Sequence, residues 1–598
     1  MPERPPRLPF TIGVGVTGHR AVALKAVALD GLRARLRKAL KLVSTTGLAL
    51  RDSCEPCFDE GPPTFRLVSP LADGADQIAA EEALGLGWQL QVVLPFDRAT
   101  YRASLANRQA RDCFDNLARR ATCILQLPGA EGPEYDAYVM AGRSTVAHCD
   151  VLVAVWDGRP ARGRGGTAEV VQLALTRGTA VFHIAPDNGH DTRLLWSGFD
   201  PTVLTLADEP SVARPLDRKH VGQVLSGLLL PPPDEEEKAF IHRFDSERLR
   251  RIRTRIEYPL MLALAGVKPF GAKDFREKHC ADQIRTEWER YCAGCADAHS
   301  MSAPIVLLER AYSWADRLAT HFAQTYRSGH IFNFILGGAA VCVGLSAFMA
   351  PHLKFEFASG ELLITFAIIL NAWVGKRNQW HRRWLDYRQL AERLRPMRSL
   401  KLLGIAAPDP PGTATNPVPS RWIDWYAAGI WRAIGCPGGS LDRAGAARLA
   451  ASIADHEIAP QVNYHRRHAE QIELLDKRLE SIGFNLFLAT LAVSVVTMAG
   501  MIAKAQFVTT YGNWFTLVSA GFPALGTAVF GIRFQADFGG DALRSLATAN
   551  TLGQIDEEMR NDVTLSRAAD LTEQAARVML SDLDEWRLVN QQRDLSVG

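Results

Sequence analysis

Val151-Leu-Val-Ala-Val-Trp-Asp157, followed by Gly158 and then by Arg162-Gly-Arg-Gly-Gly-Thr-Ala-Glu169, is the stretch whose reading decides the fold. Its unbroken apolar run predicts a strand buried on both faces, its glycines a loop, and the residues from Gly166 to Arg177 a helix. A loop of this kind points unpaired backbone N–H groups at an anion, and the helix after it adds the partial positive charge of its N-terminus. The stretch reads as a phosphate cradle.

Outward from it, apolar runs bounded by turn signals recur at Phe10 to Val16, Phe65 to Leu71, Leu90 to Phe96, Ala121 to Leu127 and Thr179 to Ala185. Helical patterns lie between them at Asp73 to Leu86, Tyr135 to Ala147 and Gly166 to Arg177. This alternation predicts an α/β domain with a Rossmann-like parallel sheet, whose ligands bind beyond the carboxyl ends of the strands.

Candidate ligand-binding loops share that edge. Gly15-Val-Thr-Gly-His-Arg20 supplies Gly15 and Gly18 for close backbone approach, the Thr17 hydroxyl, His19, and Arg20 to pair with phosphate. Ser69-Pro-Leu-Ala-Asp-Gly-Ala-Asp76 places Asp73, Gly74, Ala75 and Asp76 at the start of a helix. The opening stretch contributes Trp156 to stack on a base, Asp157 to bind a ribose hydroxyl, and Gly165, Gly166, Thr167 and Glu169. Each has a plainer reading. Glycine serves many strand-to-helix turns for steric reasons, Trp156 fills a sheet edge, Asp157 closes a turn, His19 is satisfied by backbone, and Glu169 complements its helix dipole. Arg159, Arg162 and Arg164 suit a ligand with several phosphates, or an exposed basic loop.

In this order, Gly-Val-Thr-Gly-His-Arg20, Leu-Ala-Asp-Gly-Ala-Asp76, Leu-Pro-Phe96, Ala-Val-Trp-Asp-Gly158 and Gly-Gly-Thr-Ala-Glu169 resemble the SLOG superfamily of Rossmann-like nucleotide-binding domains. The resemblance covers roughly the first 190 residues. It implies binding of a nucleotide-derived signal, cyclic or related to NAD or ADP-ribose, with no resident cofactor. The hydrolase branch of that family carries Pro-Gly-Gly-x-Gly-Thr-x-x-Glu. Here the proline is missing and Glu169 follows Thr167 by two positions instead of three, so the resemblance points to a sensor more than to an enzyme.

With 598 residues the chain exceeds what one core organises, about 250 to 300. A net charge of +3 gives no bulk attraction for nucleic acid, and none is expected as a partner. The ten cysteines are scattered and indicate no disulfide framework. Cys54 and Cys57, with Cys280, Cys292 and Cys295 near His279 and His299, raise a zinc set; the wide separation of the pairs argues against it, and no metal is expected. Pro231-Pro-Pro-Asp-Glu-Glu-Glu237 marks a domain boundary and the cap of a new helix. From His242 to Tyr258 the chain reads as helix with many arginines, a solvated face paired with acids.

Beyond it the composition changes. Ile331 to Ala350, Ile482 to Ala503 and Gln506 to Ile532 are charge-free runs of membrane-spanning length. Leu362 to Gly375 is short, but it sits inside a duplication. Phe332-Asn-Phe-Ile-Leu336 recurs as Phe484-Asn-Leu-Phe-Leu488, and Gly375, Arg377, Arg388, Leu390 and Ala391 recur as Gly531, Arg533, Arg544, Leu546 and Ala547. A matched second span follows. Basic residues flank one side: Arg327 and His330, then Lys376, Arg377, Arg382 and Arg383, then Lys477 and Arg478, then Arg533. The connecting loops carry only Lys354 and Lys504, which places both termini in the cytoplasm. No span has a central charge, which disfavours a proton-coupled transporter. Asn333, Asn371 and Asn485 pair helices or line a pore, and Pro523 is a candidate kink.

Trp384-Leu-Asp-Tyr-Arg-Gln-Leu-Ala-Glu-Arg-Leu394, after the first hairpin, resembles the SLATT family of two-transmembrane proteins associated with SLOG domains, and the second unit is a divergent copy. Trp422, Trp425, Tyr426 and Trp431 suggest packed helices between the copies. The expected organisation is a sensing domain at 8–230, a linker with cytoplasmic helices at 231–304, a first two-span unit at 305–400 (spans about 331–350 and 357–375), a helical connector at 401–465, and a second unit at 466–598 (spans about 482–503 and 511–532) that ends in a cytoplasmic helix. The resemblances together imply a homo-oligomeric effector in a bacterial inner membrane, opened by its ligand in antiphage or conflict defence. A membrane-anchored N-glycosidic hydrolase using Glu169 is the rival expectation.

Overall fold

The computed structural model describes residues 4–24, 28–54, 57–130, 136–160, 164–187, 192–199, 212–248, 255–275, 280–294, 302–408 and 421–590. The opening stretch forms strand β5 (Val151–Val155), every residue of which is buried. It lies in a sheet with β1 (Thr11–Gly18), β2 (Thr64–Ser69), β3 (Gln89–Phe96), β4 (Cys123–Gly129), β6 (Ala180–Ile184), β7 (Arg193–Leu195), β8 (Ala213–Pro215) and β9 (Gly439–Ser440). The order is β8-β7-β6-β5-β1-β2-β3-β4-β9, parallel from β6 to β9, with β7 and β8 antiparallel at one edge. Order reverses between β1 and β5, where Gly15 faces Leu152 and Gly18 faces Val155. The alternation of apolar strands and helices thus gives the expected Rossmann-like sheet, followed by an all-helical region.

Crossover helices α1 (Leu29–Ser53), α2 (Ala75–Gly85), α3 (Arg98–Ala103), α4 (Arg108–Arg120), α5 (Ala137–Ala147), α6 (Thr167–Thr176) and α7 (Arg218–Leu229) flank the sheet. Side-chain caps start several of them, as Asp97, Asn107 and Asp217 each accept a backbone N–H of the first turn. Asp234 caps α8 (Glu235–Ser246) in the same way, as the proline-acidic run predicts. The arginine-rich segment is not one helix. α8 ends at Ser246, residues 249–254 lie outside the described residues, and α9 (Glu257–Leu264) starts anew, with Arg255 paired to Glu257 at 2.7 Å. α10 (Cys280–Gly294) follows.

Among the described residues four helices are long and apolar enough to cross a membrane. α11 (Ser302–Ser346) and α12 (Lys354–Arg377) form one hairpin; the short apolar run is the middle of a 24-residue helix, about 36 Å long. α12 leads through Gln379, in the left-handed region, into α13 (Trp380–Leu394). After α14 (Met397–Leu403), α15 (Trp422–Ile434) and α16 (Arg443–Ile453), the second hairpin is α17 (Ala459–Ile502) and α18 (Gln506–Ala536), which passes through left-handed Asp537 into α19 (Phe538–Met559). The two units share this helix–turn–helix–break–helix plan. In α18 the backbone leaves helical angles at Tyr511, not at Pro523. Asn371 donates to Asn333 Oδ1 at 2.8 Å and to the Gly329 carbonyl at 3.1 Å, so these asparagines join two spans and are both buried. The chain ends in α20 (Leu565–Asn590).

The sheet and the membrane-proximal helices share one apolar core, which runs from Leu8 and Val14 through Trp422 and Leu394 to Leu552 and Met579. α15 is the wedge. Trp425 Nε1 donates to the Leu229 carbonyl (2.7 Å), Tyr426 Oη to Pro6 (2.7 Å) and Trp431 Nε1 to Ala147 (3.0 Å), so large rings are buried with their polar tips satisfied. The Trp384–Leu394 motif grips the same wedge: Asp386 accepts from Trp422 Nε1 at 2.9 Å and from Arg421, and Arg393 pairs with Asp424 at 3.0 Å. α20 closes the assembly. Glu573 accepts from Arg177, just past α6, at 3.1 Å and from the Ala407 N–H at 3.0 Å, and Asp570 pairs with Arg143 of α5 at 2.8 Å.

Glu573→Ala removes the ion-pair partner of a largely buried guanidinium, which keeps only its bond to the Ala407 carbonyl, and the acceptor of a buried N–H, and is expected to cost about 2 to 3 kcal/mol. Glu558→Ala, which breaks the exposed pair with Arg567, should cost under about 1 kcal/mol. Thermal unfolding in detergent measures both, and equal effects would contradict the assignment.

Candidate functional site

The site is built where β1 and β5 send their chains to opposite sides of the sheet. His19 N–H donates to the Val155 carbonyl at 3.0 Å, continuing the β1–β5 ladder into the loop. The first and second loops interlock through Ala21 N–H to Asp73 O (3.0 Å) and Ala75 N–H to His19 O (3.2 Å). This close approach is what the glycines permit. Gly74 has φ +108°, and a Cβ there would lie 2.6 Å from the His19 oxygen and the Ala21 nitrogen; one on Gly18 would lie 2.5 Å from Ala75 Cβ.

The third loop is held against α5. Gly165 has φ +73°, with room for no side chain beside Tyr138. Its N–H donates to Glu169 Oε2 at 2.6 Å, and Glu169 N–H returns to the Gly166 carbonyl. Glu169 therefore closes the glycine loop at the head of α6. Arg164 is tied to Asp136 at 3.1 Å, while Arg162 lies outside the described residues. Thr167 opens α6 and is half-buried.

Trp156 sits inside the core. It is 5% exposed, its indole N–H donates to the Arg159 carbonyl at 2.8 Å, and its ring lies 5.4 Å from that of His183. It shapes the loop from beneath. Asp157 is exposed and reaches His19 instead: its N–H donates to Nε2 at 3.2 Å and its carboxylate lies 3.3 Å from the same nitrogen. Its slight burial opposes ionisation, but the Arg159 N–H and the Arg159 charge help outweigh this and hold the carboxyl below its usual range.

Beneath the interlocked loops lies a polar cluster that residue type alone does not announce. Asp73 is 2% exposed, and among the described residues no hydrogen-bond donor reaches either carboxylate oxygen. Asp76, 4% exposed, accepts only a long bond from Ala72 N–H (3.3 Å), and burial pushes its carboxyl up to about 7. Arg20 stands over the Tyr138 ring, 5.2 Å from its centroid, and buried Tyr101 completes the set. Tyr101 and Tyr138 were not singled out from sequence. Both pack edge-on against Phe96 of Leu-Pro-Phe96, which was the available signal.

The arrangement offers backbone N–H groups at the starts of α2 and α6, a guanidinium for an anion, and buried carboxylates for hydroxyl or amino donors. Cys54 and Cys57 are joined by a disulfide, which takes them out of the zinc set; the turn after α1 brings them together through Cys57 N–H to Cys54 O. His279, Cys295 and His299, and the side chains of Cys280 and Cys292, lie outside the described residues. Among the described residues no cluster of metal ligands forms. Neither the protein-family models nor the curated proteins compared with the chain give a match.

The Asp76 carboxyl gives a pH signature. Unfolded, it loses its proton near pH 4; folded, near 7. Between those values the fold holds the extra proton, so this group's contribution to stability falls as pH rises from about 4 to about 7 and is level above. Asp76→Asn removes that dependence, and the variant's melting temperature relative to wild type should rise between pH 5 and pH 8. A pH-independent difference would contradict the assignment. Gly74→Ala is expected to cost about 1 to 3 kcal/mol through its left-handed backbone, read from the same melts.

Proposed function

We propose that this protein is a ligand-gated membrane effector of a bacterial inner membrane. Its sheet domain and both termini are cytoplasmic, and it binds a nucleotide-derived signal of the cyclic-nucleotide or NAD/ADP-ribose class. Binding favours an open or membrane-disrupting state of a homo-oligomer in antiphage or conflict defence. One observation carries the reading: the loops of the candidate site are joined by rigid elements to α20, the second helix after the last span. Gly165 packs on α5 and Glu169 ties the loop to the first turn of α6, while Arg143 of α5 and Arg177 beyond α6 form ion pairs with α20. A ligand that displaces the glycine loop thus acts on α20, provided it binds one arrangement better than the other. Oligomerisation is supported by the spans themselves. The apolar windows of the α12 and α17 candidates bury only 17% and 6% of their residues within the chain, leaving wide faces for lipid or further copies.

The test is ion flux from proteoliposomes holding the full chain, with ADP-ribose, NAD and cyclic mono- and dinucleotides added in turn, beside calorimetric binding. At least one nucleotide that binds should raise flux tenfold or more over empty vesicles. The pair Arg143→Ala with Arg177→Ala should keep binding within about threefold and lose most of that flux. Tight binding without flux from any nucleotide would sink the effector reading.

A second reading, a membrane-anchored hydrolase of nucleotide N-glycosidic bonds, is favoured by Asp76. A carboxyl that titrates near neutrality beside a second buried carboxylate suits acid–base work better than Glu169, which is occupied by its own loop. It requires release of free base or nicotinamide by the full chain, lost in Asp76→Asn. No release from any bound nucleotide would remove it.

A further inference from the structure

Cys123 of β4 and Cys436, just before β9, come from segments 313 positions apart in the chain and meet at the far edge of the sheet. Leu125 faces Gly439 and Gln126 faces Ser440 in the parallel β4–β9 pair, which brings the segment just before β9 alongside Cys123. The two thiols share an acceptor: Cys123 Sγ donates to the Cys436 carbonyl oxygen at 3.4 Å and lies 3.9 Å from that of Pro437, to which Cys436 Sγ donates at 3.5 Å.

Two basic side chains stand beside the pair. Lys401 is 1% exposed and donates to the Gly435 carbonyl at 2.8 Å, and Arg66 donates to the carbonyls of Arg432 and Ala433 at 2.8 and 3.1 Å. Both side chains thus converge on the turn that carries Cys436, and burial holds the Lys401 ammonium well below its usual range. The neighbouring Cys436 thiol and then, against the burial that opposes it, the Arg66 charge hold the Cys123 thiol below its usual range, while the same neighbour and burial push Cys436 up. Cys123 is half-buried and Cys436 buried, which sorts them into an attacking and a resolving sulfur. Cys113 and Cys149 lack this setting: burial raises both, Cys113 to about 12, so they stay as thiols.

We propose that Cys123 and Cys436 are a redox-active dithiol that a low-molecular-weight disulfide oxidises to a bridge between the sheet and the connector joining the two membrane units. In the first step the Cys123 thiolate attacks one sulfur of the small disulfide and expels the other half as a thiolate. In the second, Cys436 gives its proton to that thiolate or to water, attacks the Cys123 sulfur of the mixed disulfide, and expels the remaining half. Two cysteine thiols lose two electrons, and one small disulfide becomes two thiols. The bridge fastens β9 to β4 and, through the connector, fixes α15 and α16 on the sheet edge.

The experiment uses the full chain in detergent, equilibrated in glutathione buffers from fully reduced to fully oxidised, trapped with iodoacetamide and digested without reductant. A Cys123–Cys436 linked peptide is expected to rise at least tenfold across the series, with Cys113 and Cys149 alkylated only after unfolding. In Cys436→Ser the second step is blocked, and Cys123 should accumulate as its glutathione mixed disulfide. Absence of the linked peptide in wild type at every buffer would overturn the proposal. So would a Cys436→Ser chain that melts like wild type yet shows no glutathione on Cys123.

Discussion

Everything in this molecule depends on one apolar core shared between a Rossmann-like sheet and the helices that continue into the membrane-spanning hairpins. Such a core arises because α15 buries Trp422, Trp425, Tyr426 and Trp431 among three bodies at once, the sheet, α11 and α13. Packed interiors are stiff and transmit displacement, so a change at the sheet edge is resisted or passed on as a unit. The spans show the opposite character. Leu362, Leu363, Phe355 and Ile502 are among the most exposed large apolar residues of the chain, as lipid-facing helices require.

Ionic contacts reinforce the shared core. Arg398 of α14 pairs with Glu457, just before α17, at 2.7 Å, and Glu392 of α13 pairs with both Arg388 and Arg395. Removing one member of a buried pair costs more than the pair contributes, so these contacts fix a register and do not merely add stability. The Trp-x-Asp-Tyr-Arg pattern after the first hairpin therefore has a physical role apart from any resemblance: Asp386 holds Arg421 and Trp422, and Tyr387 Oη donates to Glu247 at 2.8 Å. The second unit lacks these residues, and its α19 packs instead through small and apolar side chains such as Ala549 and Leu552.

Periodicity made the strands from β1 to β6 legible, and the duplication restored a span too short by its charge-free run alone. β9 and the site of α15 were not legible. A two-residue strand has no period, and the partners of Trp425 and Tyr426 lie hundreds of positions upstream, where a local pattern carries no information. The candidate loops were readable because glycine and its neighbours report backbone demand directly. The roles within them were less so: Trp156 faces the core and Glu169 faces its own loop, while the unpaired Asp73 and the raised Asp76 became visible only through burial. Residue type names a capability, and surroundings decide whether it is used.

The central claim is that occupation of the sheet edge is felt at α20 and the span ends through the shared core. Hydrogen–deuterium exchange of the full chain in nanodiscs tests it most directly, with and without a nucleotide that calorimetry shows to bind. The account predicts slowed exchange across 165–177 together with a change in 565–580 and in the sheet-side ends of α11 and α17. Protection confined to the loops of the sheet domain, with α20 and the spans unaltered, would contradict it.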